Sequence, residues 1–380
     1  MKKILFVALG ATLLAAGCQK TEVINPVGNA INFATGMSKL TKADAAAEGT
    51  SNLQDQEFRV WAYADYEDLN TEKDEKDNIY DGIANMNVDY TPGTDGAEGT
   101  WAPVKQYYWP GVNKNLRFFA VSGADLGADL SEQETVAIAI NRTGEGDAET
   151  VAPTLTIKDY TVNNESPNAD LMVADFVCQN QSNKEVNLIF RHTLAKVEFL
   201  FKTTTAADAA VFVQSVLVEN VNTKATLVVS ANTDEATAAA KPMVFTWGTA
   251  TAPKPFTDDY NETDDTFPTI AADDRISEGD VDNKAMKLTN DANVFTTWLV
   301  MPQTIADYQV KVRYVIGVRE FESIFPLYTE KLTAWAPNQY VRYTVTLAPN
   351  LISFNPSVKD WDQYDADDAK DGKQDIEMEN

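Results

Sequence analysis

The sequence contains little of the chemistry that enzymes and metalloproteins use. Among 380 residues there are two cysteines, Cys18 and Cys178, and a single histidine, His192. One histidine leaves very little from which to build a Ser-His-Asp triad or a multi-histidine metal site. Acidic residues are abundant, but no pair of them lies in a recognisable catalytic motif. The sequence therefore predicts no enzymatic activity, no bound metal and no cofactor.

A transmembrane-length apolar run is also absent from the N-terminus. Residues 4–16 are uncharged and mainly apolar, but they fall short of the ~20 residues that a spanning helix needs. Lys2 and Lys3 precede this run, and Leu-Ala-Ala-Gly leads into Cys18. Small residues before a cysteine resemble a bacterial lipobox, which predicts a cleaved leader over residues 1–17 and acyl chains on Cys18. An ordinary secretory signal that contains a cysteine is the alternative.

Basic residues are in the minority, with 31 Lys and Arg against 57 Asp and Glu, so the net charge is −26 at pH 7. This charge argues against a nucleic-acid partner and against broad adhesion to anionic lipid. With Cys18 acylated, Cys178 has no partner for an intramolecular disulfide. Because Val173, Phe176 and Val177 precede it, we predict that Cys178 is buried in or beside a strand.

Strand patterns dominate from residue 57 onward, and no long segment has helical periodicity. Apolar residues alternate cleanly over residues 58–64, 197–201, 310–318 and 341–347, and acidic Gly/Asn/Asp-rich loops separate these runs. The sequence therefore predicts an all-β protein with two antiparallel β-sandwich domains. We place a tether with a first strand and a propeptide at 18–56, one sandwich at 57–182 and the other at 183–380.

Three segments, in order along the chain, carry a family resemblance. The first is Tyr-Tyr-Trp-Pro at 107–110 with Leu-Arg-Phe-Phe-Ala at 116–120. The second is Asp-Leu-Met-Val-Ala at 170–174 with Leu-Ile-Phe-Arg-His-Thr-Leu-Ala-Lys-Val at 188–197. The third is Trp-Ala-Pro-Asn-Gln-Tyr at 335–340, Tyr-Thr-Val-Thr-Leu at 343–347 and the run 352–361. Together they resemble the fimbrillin family of Bacteroidetes, which comprises the type V pilins and their fimbrillin-like relatives.

This resemblance implies transthyretin-like sandwiches and a fimbrial (pilus) subunit or fimbrillin-like adhesin at the cell outer membrane. Type V pilins are lipoprotein precursors in which a trypsin-like protease cuts after a basic residue near the N-terminus. The first β-strand is then lost, and a strand from the neighbouring subunit fills the groove by β-strand addition. The implied partners are other fimbrial subunits, the outer membrane through lipid on Cys18, and a host protein or glycan.

The chain has segments that suit each step of this scheme. The displaced first strand is predicted at residues 30–35, with Ile31 and Phe33 on one face, and the cut is predicted between Lys42 and Ala43. A candidate donor strand near the C-terminus consists of Ile352, Phe354 and Val358, followed by Trp361. Ile-Asn-Phe at 31–33 and Ile-Ser-Phe at 352–354 have the same apolar-polar-apolar pattern. We therefore hypothesise that they compete for the groove that the first strand occupies. Alternatively, residues 351–361 are the last strand of their own domain.

The aromatic residues of the first segment and the lone histidine are predicted to be structural. Tyr107, Trp109 and Phe119 are expected to fill a core rather than form a sugar platform. His192 shares a strand face with Phe190 and Leu194, which is typical of a hydrogen-bonded core histidine.

Two functions from different classes stay open at this point. One is a polymerising fimbrial subunit, whose mature N-terminus would be Ala43. The other is a non-polymerising outer-membrane lipoprotein that binds glycan or host protein. Cys18 as the only mature N-terminus would favour this lipoprotein or a fimbrial anchor subunit.

Overall fold

The computed structural model describes residues 30–37, 57–65, 79–92, 99–111, 114–123, 136–143, 150–163, 170–182, 185–204, 210–231, 243–259, 285–317, 319–348 and 351–360. These residues form β-strands and no helix, which confirms the all-β prediction. Accordingly, the described ranges include no helix with the length and apolar character needed to cross a membrane. The division into two sandwich domains stays a prediction.

The strands follow one another along the chain, separated by turns and longer loops. In order they are β1 (Phe33–Met37), β2 (Phe58–Asp65), β3 (Met86–Thr91), β4 (Thr100–Pro103), β5 (Asn115–Ser122), β6 (Val136–Thr143), β7 (Thr150–Thr161), β8 (Met172–Ala174), β9 (Val177–Gln179), β10 (Val186–His192), β11 (Ala195–Lys202), β12 (Val211–Ala231), β13 (Met243–Trp247), β14 (Thr251–Asp259), β15 (Met286–Lys287), β16 (Asn293–Val300), β17 (Gln303–Thr304), β18 (Gln309–Ile316), β19 (Arg319–Pro326), β20 (Ala334–Trp335), β21 (Gln339–Ala348) and β22 (Leu351–Asp360).

The first sheet closes on itself. Its order is β2-β3-β4-β1-β10-β8-β5-β9, and an additional pairing joins β2 to β5. Seven strands therefore form a ring, β2-β3-β4-β1-β10-β8-β5, while β9 lies outside it and, among the described strands, pairs only with β5. All neighbours in the ring are antiparallel except β1 and β10, which run parallel. We call this set of seven strands the ring.

Two further sheets consist of strands that follow the ring in sequence, except for β6 and β7. A four-stranded sheet has the order β16-β11-β21-β22, and a larger sheet has the order β19-β18-β12-β7-β6, with β13, β14 and β15 also paired to β12. The 21-residue strand β12 holds this larger sheet together, because β18 pairs with its first half and β7 with its second. A two-stranded sheet, β17-β20, completes the fold.

Two large hydrophobic cores follow from these sheets. Inside the ring, the inward side chains form a core, hereafter the ring core, that includes Ile31, Phe33, Phe58, Phe118 and Phe190. The other, hereafter the larger core, includes residues of the four-stranded and larger sheets together with Trp61, Tyr63 and Phe119. Since side chains alternate along a strand, one face of β2 and of β5 contributes to the ring core and the opposite face contributes to the larger core.

Sheet pairing crosses residue 182 in both directions. Strand β10 follows this residue but belongs to the ring, whereas β6 and β7 precede it and pair within the larger sheet. The polar stretch at 179–184 thus runs from the end of β9 toward β10, and both strands belong to the first sheet. The proposed domain boundary between 182 and 183 therefore does not coincide with a change from one sheet to another. Whether the chain divides there into two domains stays a prediction.

The prediction that Cys178 is buried is wrong. Cys178 lies in the three-residue strand β9, and its side chain is exposed. β9 pairs with β5 through Val177–Gln179, and Val177 packs against the ring core. Its neighbour Cys178 therefore points to the opposite face, where the side chain is exposed.

A run of stacked aromatic rings passes through the larger core. Phe325 stacks on Phe354, Phe354 on Tyr343 and Tyr343 on Phe199, with ring centroids 5.2, 5.1 and 5.1 Å apart. The Tyr343 hydroxyl accepts a hydrogen bond from Trp335 Nε1 at 3.1 Å and donates to the Leu327 carbonyl at 3.3 Å. Burial raises the pKa of this hydroxyl above its ordinary value, so it stays protonated and able to donate.

Tyr343→Phe is expected to lower the free energy of unfolding by about 1–3 kcal/mol, because it preserves the ring stack but leaves Trp335 Nε1 and the Leu327 carbonyl without this partner. Urea denaturation followed by tryptophan fluorescence measures the change. Tyr314→Phe is the matched control, since the Tyr314 hydroxyl contacts Ser323, which is only half-buried on the edge strand β19. If both variants lower the free energy of unfolding equally, the buried hydrogen bonds of the Tyr343 hydroxyl do not stabilise the fold more than the Tyr314 contact does.

Candidate functional site

The first strand of the described chain lies in the interior of a sheet and not at an edge. β1 pairs in parallel with β10 over five residues, from Phe33 opposite Val186 to Met37 opposite Phe190. On its other side, Phe33 pairs with Trp101 of β4. The extended approach to β1 is also held, since Ile31 N donates to the Tyr107 carbonyl at 2.9 Å and Val186 N donates to the Asn32 carbonyl at 2.8 Å.

The side chains of this first segment alternate as the sequence predicts. Ile31 and Phe33 are 0% and 4% exposed, whereas Asn32 between them is exposed. Phe33 meets Phe58 and Phe118 edge to face, with centroids 6.3 and 6.1 Å apart. Burying two such apolar side chains contributes about 1.5–3 kcal/mol each, so the segment is held by its side chains as well as by its backbone.

Removal of β1 would open the ring at one place without dividing it. The strands β4 and β10 would each lose a neighbour, but they would stay connected through β3, β2, β5 and β8. The result would be a groove one strand wide, with a hydrogen-bonding edge on each side and a floor of aromatic side chains that includes Phe58 and Phe118. We call this space the β1 groove.

The predicted donor strand occupies a regular place in its own fold. β22 pairs antiparallel with β21 over ten residues and forms an edge of the four-stranded sheet. Phe354 is 8% exposed and lies in the aromatic stack, and Val358 packs partly buried against the same core. Ile352 on the same face is 45% exposed. Pro356 has no backbone N–H to donate to a ladder, and it lies in β22, which is an edge strand.

Residues 31–33 and 352–354, which share the apolar-polar-apolar pattern, therefore differ in burial and in strand pairing. In the first segment both apolar side chains, Ile31 and Phe33, are buried. Of the corresponding pair in β22, Phe354 is buried but Ile352 is exposed to solvent. The Ile-Asn-Phe segment also lies between two strands, whereas β22 has one strand neighbour among the described residues. β22 thus has an open edge and an exposed apolar side chain within its own fold.

Four of the predicted site residues lie outside the described residues. They are Cys18, Lys42, Ala43 and Trp361. The other five are described, and the structure does not bring the two segments together. Ile31 and Phe33 lie in the ring core, whereas Phe354 lies in the larger core, with Val358 packed against it. Ile352 is exposed.

The core residues that the sequence singled out are where it predicts them. Tyr107, Trp109 and Phe119 are 7%, 5% and 0% exposed. His192 is 5% exposed, and its Nδ1 contacts Asp170 Oδ2. Sequence reasoning did not find the Asp170 partner, although an aspartate placed directly before the apolar run 171–174 was a signal that it is buried.

A second arrangement that sequence reasoning missed ties β8 to β10. Thr193 donates to the Leu171 carbonyl from both its backbone N and its Oγ1, at 3.0 and 2.8 Å. At the other end of β8, Arg191 Nε and Nη2 donate to the two carboxylate oxygens of Asp175 at 2.9 and 3.0 Å. Burial raises the pKa of the Asp175 carboxyl, and the Arg191 guanidinium partly offsets this rise.

A cluster of buried charges lies on β11 and β21, away from the β1 groove. Arg342 Nε donates to Glu198 Oε2 at 2.9 Å, and Lys196 Nζ lies 3.6 Å from Glu198 Oε1. Both cations also lie over the ring of Tyr340, at 4.9 and 4.7 Å. These contacts satisfy the charges within the sheet, as buried charges require. Within the part of the chain that the structure describes, no group of three or more His, Cys, Asp or Glu side chains is placed to hold a metal ion.

Comparison with known proteins gives one family and several similar structures. A family model described as fimbrillin-like matches residues 41–361. A fimbrial protein from Bacteroides vulgatus is 16% identical and superposes with a TM-score of 0.53, covering 88% of this chain and 99% of that chain. At this level of identity the likeness shows a shared fold. No curated protein matches the chain.

Two weaker structural similarities accompany it. A protein from Bacteroides uniformis described as a cell adhesion protein is 16% identical, with a TM-score of 0.45 and coverage of 88% and 98% of the two chains. A fimbrial assembly protein from Parabacteroides distasonis is 13% identical, with a TM-score of 0.37 and coverage of 87% and 97%.

Proposed function

The chain belongs to the fimbrillin-like family, and from that premise we propose that it is a fimbrial subunit of the bacterial cell surface. Its assembly proceeds by proteolytic loss of the first strand, followed by insertion of a strand from a neighbouring subunit into the β1 groove. The observation that carries the proposal is the position of β1, which fills a single place between β4 and β10 in an otherwise continuous ring.

Chain connectivity supports a cut between β1 and β2. Lys42 and Ala43 lie between the end of β1 at Met37 and the start of β2 at Phe58. A cut there severs the covalent link to β1 without interrupting any other described strand. The region that matches the family model starts at residue 41, next to the proposed cut, and does not include β1.

The same cut separates the subunit from its membrane anchor. Cys18 and β1 both precede Lys42 in the chain. Acyl chains on Cys18 therefore hold the precursor at the outer membrane only while the chain is intact. Cleavage after Lys42 couples release from the lipid to opening of the groove, so a subunit becomes free to assemble at the moment when it can accept a strand.

The shape of the β1 groove restricts what can replace β1. A strand that runs in the direction of β1 pairs in parallel with β10 and antiparallel with β4, and it presents alternate side chains to the ring core. The positions of Ile31 and Phe33 call for an aliphatic and an aromatic side chain two residues apart. Ile352 and Phe354 of β22 supply this pair in the same order, so β22 of a neighbouring subunit is the proposed donor.

Lys42→Gln is expected to abolish the mature N-terminus at Ala43 and, with it, the ladder of oligomers on a gel run without boiling. A trypsin-like protease requires a basic side chain before the scissile bond, and glutamine removes the charge at nearly the same length. Lys39→Gln is the matched control, because it removes a lysine three residues earlier and should leave both readouts unchanged. Normal ladders from the Lys42→Gln variant would contradict the proposed processing site.

A non-polymerising lipoprotein is the second candidate function, and one observation favours it. β22 is fully paired with β21 and buries Phe354 in its own larger core, as expected of a strand that never leaves. In that case the surface chain retains Cys18 as its N-terminus, and binding of glycan or host protein replaces polymerisation as the function.

A further inference from the structure

We propose that six residues, at the two ends of β8 and at the C-terminal end of β10, hold β10 in place as the wall of the groove after β1 has left. We call them the clasp: Asp170, Leu171, Asp175, Arg191, His192 and Thr193. This inference rests on the proposed function, because it concerns the chain without β1. The clasp residues are positioning residues, since none of them pairs with β1, whose place the incoming strand takes.

The need for a clasp follows from the neighbours of β10. This strand pairs with β1 over five residues but with β8 over only three, from Phe190 opposite Ala174 to His192 opposite Met172. Loss of β1 therefore removes the longer of its two ladders. A three-pair contact between two short strands is marginal by itself in water, so β10 needs additional attachments to stay in position.

The first end of the clasp is buried and tied at several points. Asp170, His192 and Thr193 are 1%, 5% and 0% exposed. The His192 ring contacts the Asp170 carboxylate, and Thr193 sends two hydrogen bonds to the Leu171 carbonyl. Water competes poorly with hydrogen bonds in such surroundings, so each bond resists opening more than an exposed one would.

The second end of the clasp lies beyond the other end of β8. Arg191 binds the Asp175 carboxylate with two parallel hydrogen bonds, and Asp175 N donates to the Ile189 carbonyl at 2.9 Å. A bidentate pair of this kind fixes direction as well as distance. The three ladder pairs of β8 and β10 are therefore enclosed by contacts on both sides.

The clasp is also attached to the larger core. Trp247 Nε1 donates to the Thr193 carbonyl at 2.8 Å, and Asn338 N donates to the Leu194 carbonyl at 3.0 Å. The next residue, Ala195, begins β11, which pairs in parallel with β21 over eight residues. The C-terminal end of β10 is thus held by strands that do not depend on β1.

The clasp should matter most when β1 is absent. With β1 in place, β10 has a neighbour on each side, and loss of one clasp bond leaves it paired. Without β1, the same bond is one of few that keep β10 from unpairing. This difference separates a positioning role from an ordinary structural one.

The test measures hydrogen–deuterium exchange in the full chain with β1 expelled by Ile31→Asp and Phe33→Asp, because two carboxylates cannot be buried in the ring core. With the clasp intact, amides of β10 should remain protected. Thr193→Val, which keeps the shape but removes the hydroxyl, should speed their exchange about tenfold. Thr193→Ser should restore protection, and Thr193→Val in the chain with native β1 should have a smaller effect.

Two results would overturn the clasp: loss of β10 protection in the expelled background with Thr193 intact, or equal protection with threonine and valine at position 193. Amides of β11 report whether the rest of the chain stays folded. If the β11 amides also lose protection, the experiment is repeated with Ile31→Ser and Phe33→Ser in place of the two aspartates. In that background the same two results for β10 would overturn the clasp. The exchange experiment requires neither cleavage after Lys42 nor a donor strand. It can therefore overturn the clasp without overturning the proposed function, and the proposed function can fail in its own tests without overturning the clasp.

Discussion

Replacing Phe33 with alanine is expected to lower the free energy of unfolding of the uncleaved chain by about 3–5 kcal/mol. Phe33 is 4% exposed and makes edge-to-face contacts with Phe58 and Phe118. Truncation leaves a cavity in a core surrounded by paired strands, which can collapse only in part. Urea denaturation of the precursor measures the loss.

Asn32→Ala is the control for Phe33→Ala, because Asn32 is exposed on the opposite face of the same segment and its replacement should change stability by less than about 0.5 kcal/mol. Once the chain has been cut after Lys42 and β1 has been replaced, the Phe33→Ala and native chains are identical and must be equally stable. A Phe33→Ala loss below about 1 kcal/mol in the precursor would contradict the packing of β1 described above.

Replacing Ile352 with aspartate is expected to abolish oligomer ladders while leaving the monomer folded. Ile352 is 45% exposed in its own fold, so an aspartate there costs the subunit about 1 kcal/mol or less. In the β1 groove, however, the same side chain would take the place of Ile31, which is 0% exposed. An unpaired carboxylate cannot be buried there without a large desolvation cost, so exchange should fail.

Ser353→Asp is the matched control, since it adds the same charge one residue away on the opposite face of β22. It should leave ladders intact. If Ile352→Asp and Ser353→Asp both assemble normally, β22 is not the donor. Point substitution is preferable to deletion of residues 351–380, because deletion would also remove Phe354 from the aromatic stack and destabilise the monomer for a different reason.

Local alternation made much of the fold accessible from the sequence. The pattern of Ile31, Asn32 and Phe33 predicted one buried face, and the structure places both apolar side chains in the ring core. The aromatic residues at 107, 109 and 119 and the lone histidine were likewise assigned to a core, because burial depends mainly on which face of a strand a residue occupies.

Pairing between distant strands was not accessible in the same way. Nothing in residues 33–37 indicates that they pair in parallel with residues 186–190, since register is set by the whole hydrophobic surface and not by local composition. For the same reason, no local pattern indicates that β6 and β7 join the sheet of β12. The burial prediction for Cys178 is wrong because apolar neighbours in sequence do not reveal that a strand is a short edge strand with one face exposed.

The contacts of the clasp illustrate a further limit. Asp170 and His192 are 22 residues apart, and Asp175 and Arg191 are 16 apart. Each residue alone resembles an ordinary polar residue at a strand end. Only the antiparallel register of β8 and β10 brings the two pairs together, so their shared role becomes visible after the topology is known.

The central claim is that β1 is discarded when the subunit assembles, and the N-terminus of the protein in its surface form tests it most directly. Fibres or surface material are collected from cells, and the N-terminal residue is determined by Edman sequencing and by mass spectrometry of tryptic and non-tryptic peptides. The account predicts Ala43 as the N-terminus, with no peptide from residues 30–37. A surface form that begins only at acylated Cys18 and retains residues 30–37 would contradict it.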